Sequence, residues 1–468
     1  MNANHSRSIF VWFCAFLCGL VGLPCFTLAA TRLVAVRNVT VIDVAGSRTL
    51  PERTLIIQGE RIASIGPARS TPIPQNAQVV NGQGKYLIPG LWDMHVHLWH
   101  EENQLPVYVA FGVTGVRDMG SNFLKTQQWR AEIEKGKAIG PHIVTPGAAL
   151  NGDDLHDEKL PILRVQTPAD ARRIFDYLYD QNVDFIRILP SLPRFAYFAL
   201  TEQGRHWGVP IAGDLPFSVS VAEAITNRQS SIEHLSRMFL ACSAEAEELE
   251  IEAERAALAG NAAALERIEN RALDTFSETK AQELLQRCAL FETRQVPELT
   301  RFERAASDSA EIECDPRVSF VPRSVRNQWK RVGRRLSSDD LAYRHKRYEK
   351  ALEMVRVMER YHVGIMAGTD TGNPDTIPGA TLHDELRLLV QAGLTPMEAL
   401  RSATVVPAKY LGWDDALGTV EKGKVADLVL LNADPLADIA NTQKIAGVFL
   451  RGRYLSKTEL IHILSSVK

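Results

Sequence analysis

The sequence predicts an α/β protein in which a (β/α)8 TIM-like barrel carries a small composite β-sandwich built from the N- and C-terminal segments. Two observations support this prediction. The middle of the chain alternates short apolar strands with helical stretches, which is typical of βα units that form a parallel sheet. Both ends alternate polar and β-branched residues, with glycine and asparagine at turns, which is typical of short antiparallel strands. Eight strands are predicted in the middle, the number that closes such a barrel.

Composition places the chain among ordinary soluble globular proteins. Of its 468 residues, 45% are hydrophobic and 23% are charged, and the formal net charge is -3. A chain of this length accommodates one large domain and one smaller domain. Because the charges nearly balance, the sequence gives no electrostatic reason to expect nucleic acid or an anionic membrane as a partner.

The first 30 residues predict a secretory signal peptide. Arg7 precedes an uncharged apolar run, Ile9–Ala30, that ends in two alanines. A basic start, an apolar middle and small residues at the end are typical of a cleaved leader. A retained membrane anchor is the alternative, since the run approaches spanning length. Pro24 and the small residues before the first strand favour cleavage, so we expect export to the periplasm or the medium, with no membrane attachment afterwards.

The elements follow in chain order. The predicted sandwich takes residues 31–84 and 413–468, and the barrel takes residues 85–412. Its predicted strands are Leu87–His97, Val113–Met119, Ile143–Ala148, Asp184–Leu189, Pro210–Asp214, Ser231–His234, Gln295–Leu299 and Gly364–Asp370. Helices are predicted at Ala169–Gln181, Ser220–Asn227, Leu341–Tyr361, Leu382–Gln391 and Pro396–Tyr410. Residues 241–290 are rich in strong helix formers and predict a helical insertion, with a solvated hairpin favoured over a substrate lid.

Three cysteines lie beyond the leader, namely Cys242, Cys288 and Cys314. One disulfide could form among them in an oxidising compartment, but the sequence does not choose the pair. Their spacing is not that of a thiolate metal site.

Two histidines stand two residues apart in LWDMHVHLWH, on the first predicted barrel strand. Alternate residues of a strand face the same side, so His95 and His97 can both face one ion. Imidazole is the common ligand for zinc and similar ions. Such a pair alone is weak evidence, because two histidines also occur by chance on a half-exposed strand.

Two further polar residues end predicted strands. Asp370 closes the apolar strand of IMAGTDTG, where a carboxylate is costly to bury unless it binds a metal or exchanges a proton. His234 closes the short strand of SIEHLSR, and alone it would be interpreted as a structural histidine. The carboxyl ends of barrel strands share one face, so these residues are predicted to lie near His95 and His97.

This order of residues resembles the amidohydrolase superfamily over roughly residues 32 to 468. The stretches that carry the resemblance are LIPGLWDMHVH, GVTGVRDMG, IEHL, AGTDTGNPDTIPGATLHDEL, GLTPMEALRSATVVPAKYLG and GTVEKGKVADLVLLNADPL. They fit the branch that is similar to imidazolonepropionases and Xaa-Pro dipeptidases. The resemblance implies a metal-dependent hydrolase of C–N bonds outside ordinary proteolysis, acting on a small-molecule substrate.

The resemblance also implies roles for individual residues. His95 and His97 would be metal ligands, and Asp370 would be both a ligand and the general base. His234 would bind a second ion or orient the water or the carbonyl. His383, in TLHDEL, would contact substrate, with a helix-surface histidine as an equal alternative. The loop after strand three adds four residues that either line the pocket or belong to a solvated loop: Asp153, Asp154, His156 and Asp157.

Two positions depart from the family pattern. Binuclear members bridge two metals with a carboxylated lysine on strand four and bind the second metal with a histidine on strand five. This chain has Arg187 and Asp214 at those positions. Because arginine stays protonated and does not form the carbamate, we expect an Arg187–Asp214 ion pair in place of the second metal. The predicted ligands of a single remaining divalent ion, a zinc, are His95, His97 and Asp370, with His234 or Asp214 assisting.

Two functions remain open at this point. The first is a hydrolase that uses one divalent ion. The second is a catalytically degenerate homologue that binds a ligand or a partner protein. The enzyme is favoured because a site with no use for metal has little reason to keep four ligand-type side chains.

Overall fold

The computed structural model describes residues 32–99, 104–152, 160–235, 237–307, 315–332 and 337–467. The predicted leader, Cys314 and the four polar residues of the loop after strand three lie outside these described residues. Within the described ranges, no helix is both long enough and apolar enough to cross a bilayer.

The chain forms seventeen strands and sixteen α-helices in its described part. The strands β1 to β17 are Leu33–Asp43, Arg48–Gln58, Arg61–Pro67, Gln78–Asn81, Tyr86–Pro89, Leu91–Val96, Val113–Asp118, His142–Val144, Ala149–Asn151, Ile162–Arg164, Ile186–Ile188, Ile211–Gly213, Ser231–Glu233, Arg294–Val296, Leu428–Leu431, Ile445–Leu450 and Arg453–Ser456. The helices α1 to α16 are Leu105–Ala110, Phe123–Glu134, Pro168–Asp180, Arg194–Trp207, Val221–Thr226, Met238–Ala241, Ala246–Leu258, Ala262–Asp274, Glu278–Phe291, Leu299–Ala306, Arg323–Val332, Ser338–Arg360, Ala380–Ala392, Pro396–Ser402, Val405–Tyr410 and Lys457–Ser466.

Both ends of the chain form one β-rich domain, as the sequence predicts. Strands β1 to β5 and β15 to β17 belong to a single eight-stranded sheet. Strand β5 joins its two halves, because it pairs in parallel with β1 and antiparallel with β15. Buried aliphatic side chains from both ends of the chain share one core, among them Val36, Leu55, Leu428 and Leu430.

The predicted boundary between the terminal sheet and the barrel is wrong by one strand. The sequence assigned Leu87–His97 to a single barrel strand, but Tyr86–Pro89 belongs to the terminal sheet and the barrel begins at Leu91–Val96. The chain changes sheets at Gly90, whose N–H donates to the carbonyl of Asp427. A side chain at Gly90 would clash with Thr114, since a Cβ atom there would lie 2.1 Å from its Oγ1.

The middle of the chain forms the predicted barrel of parallel strands. Strands β6, β7, β8, β11, β12, β13 and β14 supply seven of its positions. The segment 364–371 supplies the eighth, since its backbone hydrogen-bonds to Gln295 on one side and to Met94 and His97 on the other. Between β8 and β11, the N–H of Asp184 donates to the carbonyl of Thr145. These bonds close the ring and bring the strand ends to one face.

Four helices, α6 to α9, lie between β13 and β14, where the sequence predicts the helical insertion. They do not form a solvated hairpin. Glu269 on α8 pairs with Arg347 on α12 at 2.6 Å, and Lys346 on α12 contacts the Asn270 side chain at 2.6 Å. Both described cysteines, Cys242 and Cys288, lie on this insertion, and both are buried free thiols.

Candidate metal centre

Four polar side chains converge where barrel strands end. His95 lies on β6, His234 follows β13, Glu298 follows β14, and Asp370 lies on the eighth segment of the barrel. The last three have positive φ angles of 60°, 54° and 55°. Residues other than glycine rarely adopt this left-handed conformation, and such strained positions cluster at functional sites.

His95, His97 and Asp370 form the more deeply buried of two candidate ligand groups. The Oδ1 atom of Asp370 lies 3.5 Å from the Nε2 atom of His95 and 3.4 Å from that of His97. Two ligands of one tetrahedral zinc ion lie about 3.3 Å apart, given zinc–nitrogen distances near 2.0–2.1 Å. Within the described part of the chain, the buried His95 Nε2 and Asp370 Oδ1 have no hydrogen-bond partner. Buried polar atoms are nearly always paired, so this group fits a divalent ion.

The other ring nitrogens of the two histidines are already bonded. Nδ1 of His95 lies 3.1 Å from Glu233 and 2.8 Å from Glu298, and Nδ1 of His97 lies 3.0 Å from the Gly120 carbonyl. Each Nδ1–H therefore has an acceptor, and each Nε2 lone pair is left facing Asp370. Such outer contacts fix the tautomer and orientation of metal-binding histidines.

Asp93 aligns the first and eighth segments of the barrel. Its carboxylate accepts from the Thr369 hydroxyl at 2.6 Å and from the backbone N–H groups of Thr369 and His95. The N–H of Asp370 in turn donates to the carbonyl of His95 at 2.8 Å. Burial outweighs these hydrogen bonds and raises the pKa of Asp93 to about 7. This local register sets Asp370 beside the two histidines.

The charges around the group favour a cation. Burial alone would lower the pKa of His95, but Glu298, Glu233 and Asp370 outweigh it and raise that pKa to about 10. Burial would likewise raise the pKa of Asp370, yet the nearby His97 ring and the neighbouring positive charges hold it well below its usual range. These three carboxylates therefore stabilise positive charge next to the His95 ring.

A buried ion pair stands behind His95. Arg117 Nη2 lies 2.8 Å from both carboxylate oxygens of Glu233, and both side chains are fully buried. Arg117 also donates to the Met94 carbonyl at 2.6 Å and to the Ser231 hydroxyl at 2.9 Å. The charge of Arg117 outweighs burial and lowers the pKa of Glu233, which therefore stays ionised against the His95 ring.

Replacing Glu233 with glutamine is expected to weaken metal binding by about 10–100-fold, the usual cost of losing a carboxylate behind a metal-binding histidine. Competition with a chromophoric chelator would measure the change. Ser231→Ala is the matched control, because Ser231 contacts both Arg117 and Glu233 and makes no hydrogen bond to His95 in the described structure. Equal losses in the two variants would show that Glu233 acts through general stability.

The second candidate group consists of His95, His234 and Glu298. Glu298 contacts Nδ1 of His234, and Arg301 Nη1 lies 2.8 Å from the same nitrogen. The predicted ligand Asp214 belongs to neither candidate group among the described residues. Its Oδ1 atom lies 3.9 Å from Nε2 of His234.

The predicted Arg187–Asp214 ion pair is wrong. Both residues lie in the described part of the chain, yet Nη1 of Arg187 donates to the Met119 carbonyl and lies 3.4 Å from His97 Nε2. The side chain of Arg187 extends toward strands one and two, whereas Asp214 faces His234. Arg187 therefore sits beside the first ligand group, with its charge next to one of the predicted ligands.

The structure also contradicts a substrate contact for His383. This residue is 1% exposed on α13. Its Nε2 atom bonds to the Phe111 carbonyl and its Nδ1 atom contacts the Thr442 hydroxyl, both at 2.9 Å. Both ring nitrogens are bonded inside the core, so His383 links the barrel residue Phe111 to Thr442 in the C-terminal part of the chain.

This buried histidine predicts a loss of stability in acid. Burial lowers the pKa of His383 to about 4, below the ordinary value of about 6.5, so the unfolded chain takes up the proton first. The stabilisation that neutral His383 contributes to the free energy of unfolding is complete above about pH 6.5. About 2 kcal/mol of this stabilisation is lost between pH 7 and pH 5. Urea unfolding at the two pH values should show that His383→Gln reduces the acid-induced loss by this amount. The exposed His462 provides the control His462→Gln, and an unchanged loss in His383→Gln would contradict the prediction.

Sequence reasoning missed four charged residues of the site. Arg117 and Glu233 interrupt buried strands just as Arg187 does, so the signal used for Arg187 would have found them. Glu298 lies two residues after the end of β14, and a carboxylate near a strand end is the feature that identified Asp370. Arg301 lies on the first turn of α10 and carries no comparable signal.

The barrel and the group of His95, His97 and Asp370 define a (β/α)8 protein with a candidate metal centre at the carboxyl ends of its strands. The model of the amidohydrolase family matches residues 222–455, half of the chain. The chain therefore belongs to the amidohydrolase family.

Individual relatives resemble shorter parts of the sequence. Imidazolonepropionases of Vibrio parahaemolyticus and Pseudomonas putida are 30% identical over 116 residues and 38% identical over 97 residues. These matches cover 23% and 20% of this chain, and only 27% and 23% of the two relatives.

Solved structures resemble nearly the whole chain. Bottromycin amidohydrolase has a TM-score of 0.72 at 21% identity, over 94% of this chain and 91% of its own. Ochratoxinase of A. niger has a TM-score of 0.66 at 16% identity, over 92% and 96%. At these identities the likeness establishes the shared fold.

Proposed function

We propose that the protein is a metal-dependent hydrolase that cleaves an amide-type C–N bond of a small molecule, using one divalent ion, zinc, held by His95, His97 and Asp370. The observation that carries the proposal is the convergence of two imidazole Nε2 atoms on a buried carboxylate oxygen, with no hydrogen-bond partner for His95 Nε2 or Asp370 Oδ1 among the described residues. Membership of the amidohydrolase family and relatives called imidazolonepropionase, Xaa-Pro dipeptidase and bottromycin amidohydrolase support the same chemistry.

A divalent ion in such a site polarises a carbonyl and makes bound water more acidic. The protein's own residues supply the proton transfers and the orientation. Asp370 keeps Oδ1 against the two histidines and turns Oδ2 toward Arg301, so Oδ2 can take a proton from water and return it to the leaving nitrogen. The side chain of His234 is 15% exposed, and its imidazole can orient the substrate carbonyl.

One ion is favoured over two for a structural reason. The two candidate groups share His95, whose Nδ1 already lies within hydrogen-bonding distance of Glu233 and Glu298. The strand-four position that bridges two ions in binuclear members holds Arg187, which lies 3.4 Å from His97 and carries a fixed positive charge. Arginine does not form the carbamate that would bridge a second ion.

The same arginine favours a second candidate function. Because Arg187 Nη1 faces Nε2 of His97, it could donate to the lone pair that a metal would use. If this hydrogen bond persists, the protein would bind ligands at the barrel mouth without metal and without turnover. This is the catalytically degenerate homologue that the sequence left open as the second function.

Metal analysis and turnover together test the proposal. Purified protein incubated with zinc and freed of excess ion should hold about one ion per chain and should hydrolyse members of a panel of N-acyl amino acids, dipeptides and cyclic amides. No bound ion under these conditions would favour the degenerate homologue, and two tightly held ions would contradict the single-ion site. We also propose export through the N-terminal leader, which fractionation of the producing cells would test.

A further inference from the structure

Arg301 differs from the other guanidinium groups of the site. Arg117 and Arg187 are 0% and 4% exposed, whereas the side chain of Arg301 is 53% exposed. Its Nη1 atom lies 2.8 Å from His234 Nδ1 and 3.5 Å from Asp370 Oδ2. Among the described residues, its Nε and Nη2 atoms have no hydrogen-bond partner. Arg301 therefore presents an open edge of its planar group to solvent beside Asp370.

The neighbouring arginines show what a structural role looks like in this region. Arg304, one turn further along α10, pairs with Asp384 at 3.1 Å, and Arg387 pairs with Glu303 at 2.6 Å. Each of these pairs joins two helices. In the described structure, the carboxylate paired with Arg301 is that of Asp370, the proposed general base. Arg301 therefore lies at the proposed reaction site and does not join two helices in this way.

Charge balance indicates what this open edge would bind. The charged side chains that contact the side chains of the ligand-type residues, directly or through one another, are Asp214, Glu233, Glu298, Asp370, Arg117, Arg187 and Arg301. With neutral imidazoles, four carboxylates against three guanidinium groups leave one net negative charge. A divalent ion reverses this to one net positive charge, which a singly charged anion would neutralise.

We propose that Arg301 determines specificity by binding a carboxylate of the substrate, so that the preferred substrates are amides with a carboxylate a few bonds from the scissile C–N bond. The inference rests on the proposed hydrolytic function and adds a substrate class to it. A guanidinium edge matches a carboxylate through two parallel hydrogen bonds, which a lysine would not reproduce. Because Asp370 lies beside Arg301, a carboxylate bound there would sit next to the reacting atoms.

Matched acids and amides test this inference without requiring turnover. The probes are N-acetyl derivatives of glycine, alanine, leucine, phenylalanine and proline, each as the free acid and as the uncharged carboxamide. Calorimetry on the zinc-loaded full chain should show that at least one acid binds about tenfold or more tighter than its amide. Arg301→Gln should abolish this preference and Arg301→Lys should restore only part of it. Arg387→Gln, at a 42% exposed arginine outside the site, should leave it unchanged.

The outcomes separate this inference from the proposed function. Equal binding of acids and amides, no binding of any acid, or a preference that survives Arg301→Gln would each overturn the role of Arg301. Hydrolysis of the same probes is measured in parallel. Hydrolysis with no preference for acids would leave the hydrolase and remove the carboxylate site. Acid binding that depends on Arg301, with no hydrolysis of any probe, would leave the carboxylate site and remove the hydrolase.

Discussion

His95→Ala is expected to reduce the zinc content of the protein from about one ion per chain to a trace, and to abolish hydrolysis with it. His95 supplies Nε2 to the first ligand group and also belongs to the second group. Removing its ring therefore disrupts both candidate groups. Inductively coupled plasma mass spectrometry on protein dialysed against metal-free buffer would measure the content.

Two companion variants decide which group holds the ion. His97→Ala removes a ligand only from the first group, and Glu298→Gln removes one only from the second. The proposal expects the ion to be lost in His97→Ala and retained with weakened affinity in Glu298→Gln, because Glu298 also contacts Nδ1 of His95. The reverse pattern would move the ion to His234 and Glu298. His206→Ala, an exposed histidine on α4, controls for non-specific surface binding.

The fold and the first ligand group could be predicted because each depends on local pattern. Strand periodicity places His95 and His97 on one side of a strand, and the structure shows both facing Asp370. Asp370 follows from the cost of a carboxylate at the end of an apolar strand. The alternation of strands and helices is equally local, and the family membership of the chain agrees with the barrel it predicts.

The partners of these residues could not be predicted, because pairing across a barrel depends on side-chain direction over long sequence distances. Arg187 was predicted to be a buried charge and is 4% exposed, but its predicted partner Asp214 faces another strand. Glu233 reaches His95 across 138 positions of the chain. A sequence marks such charges as unusual without showing which charges they meet.

His383 shows the same limit on a helix. Its segment contains both polar and apolar residues, so a pocket contact and a surface position were equally open. The structure buries the ring instead, because it bonds to the Phe111 carbonyl, 272 positions away, and contacts the Thr442 hydroxyl, 59 positions away. Neither partner leaves a signal near residue 383. The prediction failed because a histidine that satisfies two distant polar groups resembles a catalytic one in sequence.

Asp370→Asn is expected to lower the turnover number by about 10²–10⁴-fold, the usual contribution of a general acid–base group. Asparagine has nearly the same shape and keeps one oxygen toward the histidines, so part of the metal affinity should remain. Its amide nitrogen cannot accept the proton that Oδ2 of Asp370 is proposed to take. Turnover should be measured on the best substrate of the panel at saturating zinc, so that lost occupancy does not mimic lost catalysis.

The control for this variant must preserve the charge that Asp370 carries. Asp370→Glu keeps the carboxylate but moves it by one methylene, so it should bind zinc and lose turnover through misplacement. Asp214→Asn removes a nearby carboxylate that lies outside both ligand groups, and it should cost far less than Asp370→Asn. The proton transfer would be assigned to Asp370 by two results together. Asp370→Asn would lose turnover while still binding zinc, and Asp214→Asn would remain active. If Asp370→Asn stayed within tenfold of the unaltered protein while Asp214→Asn was inactive, the base would be the carboxylate that faces His234.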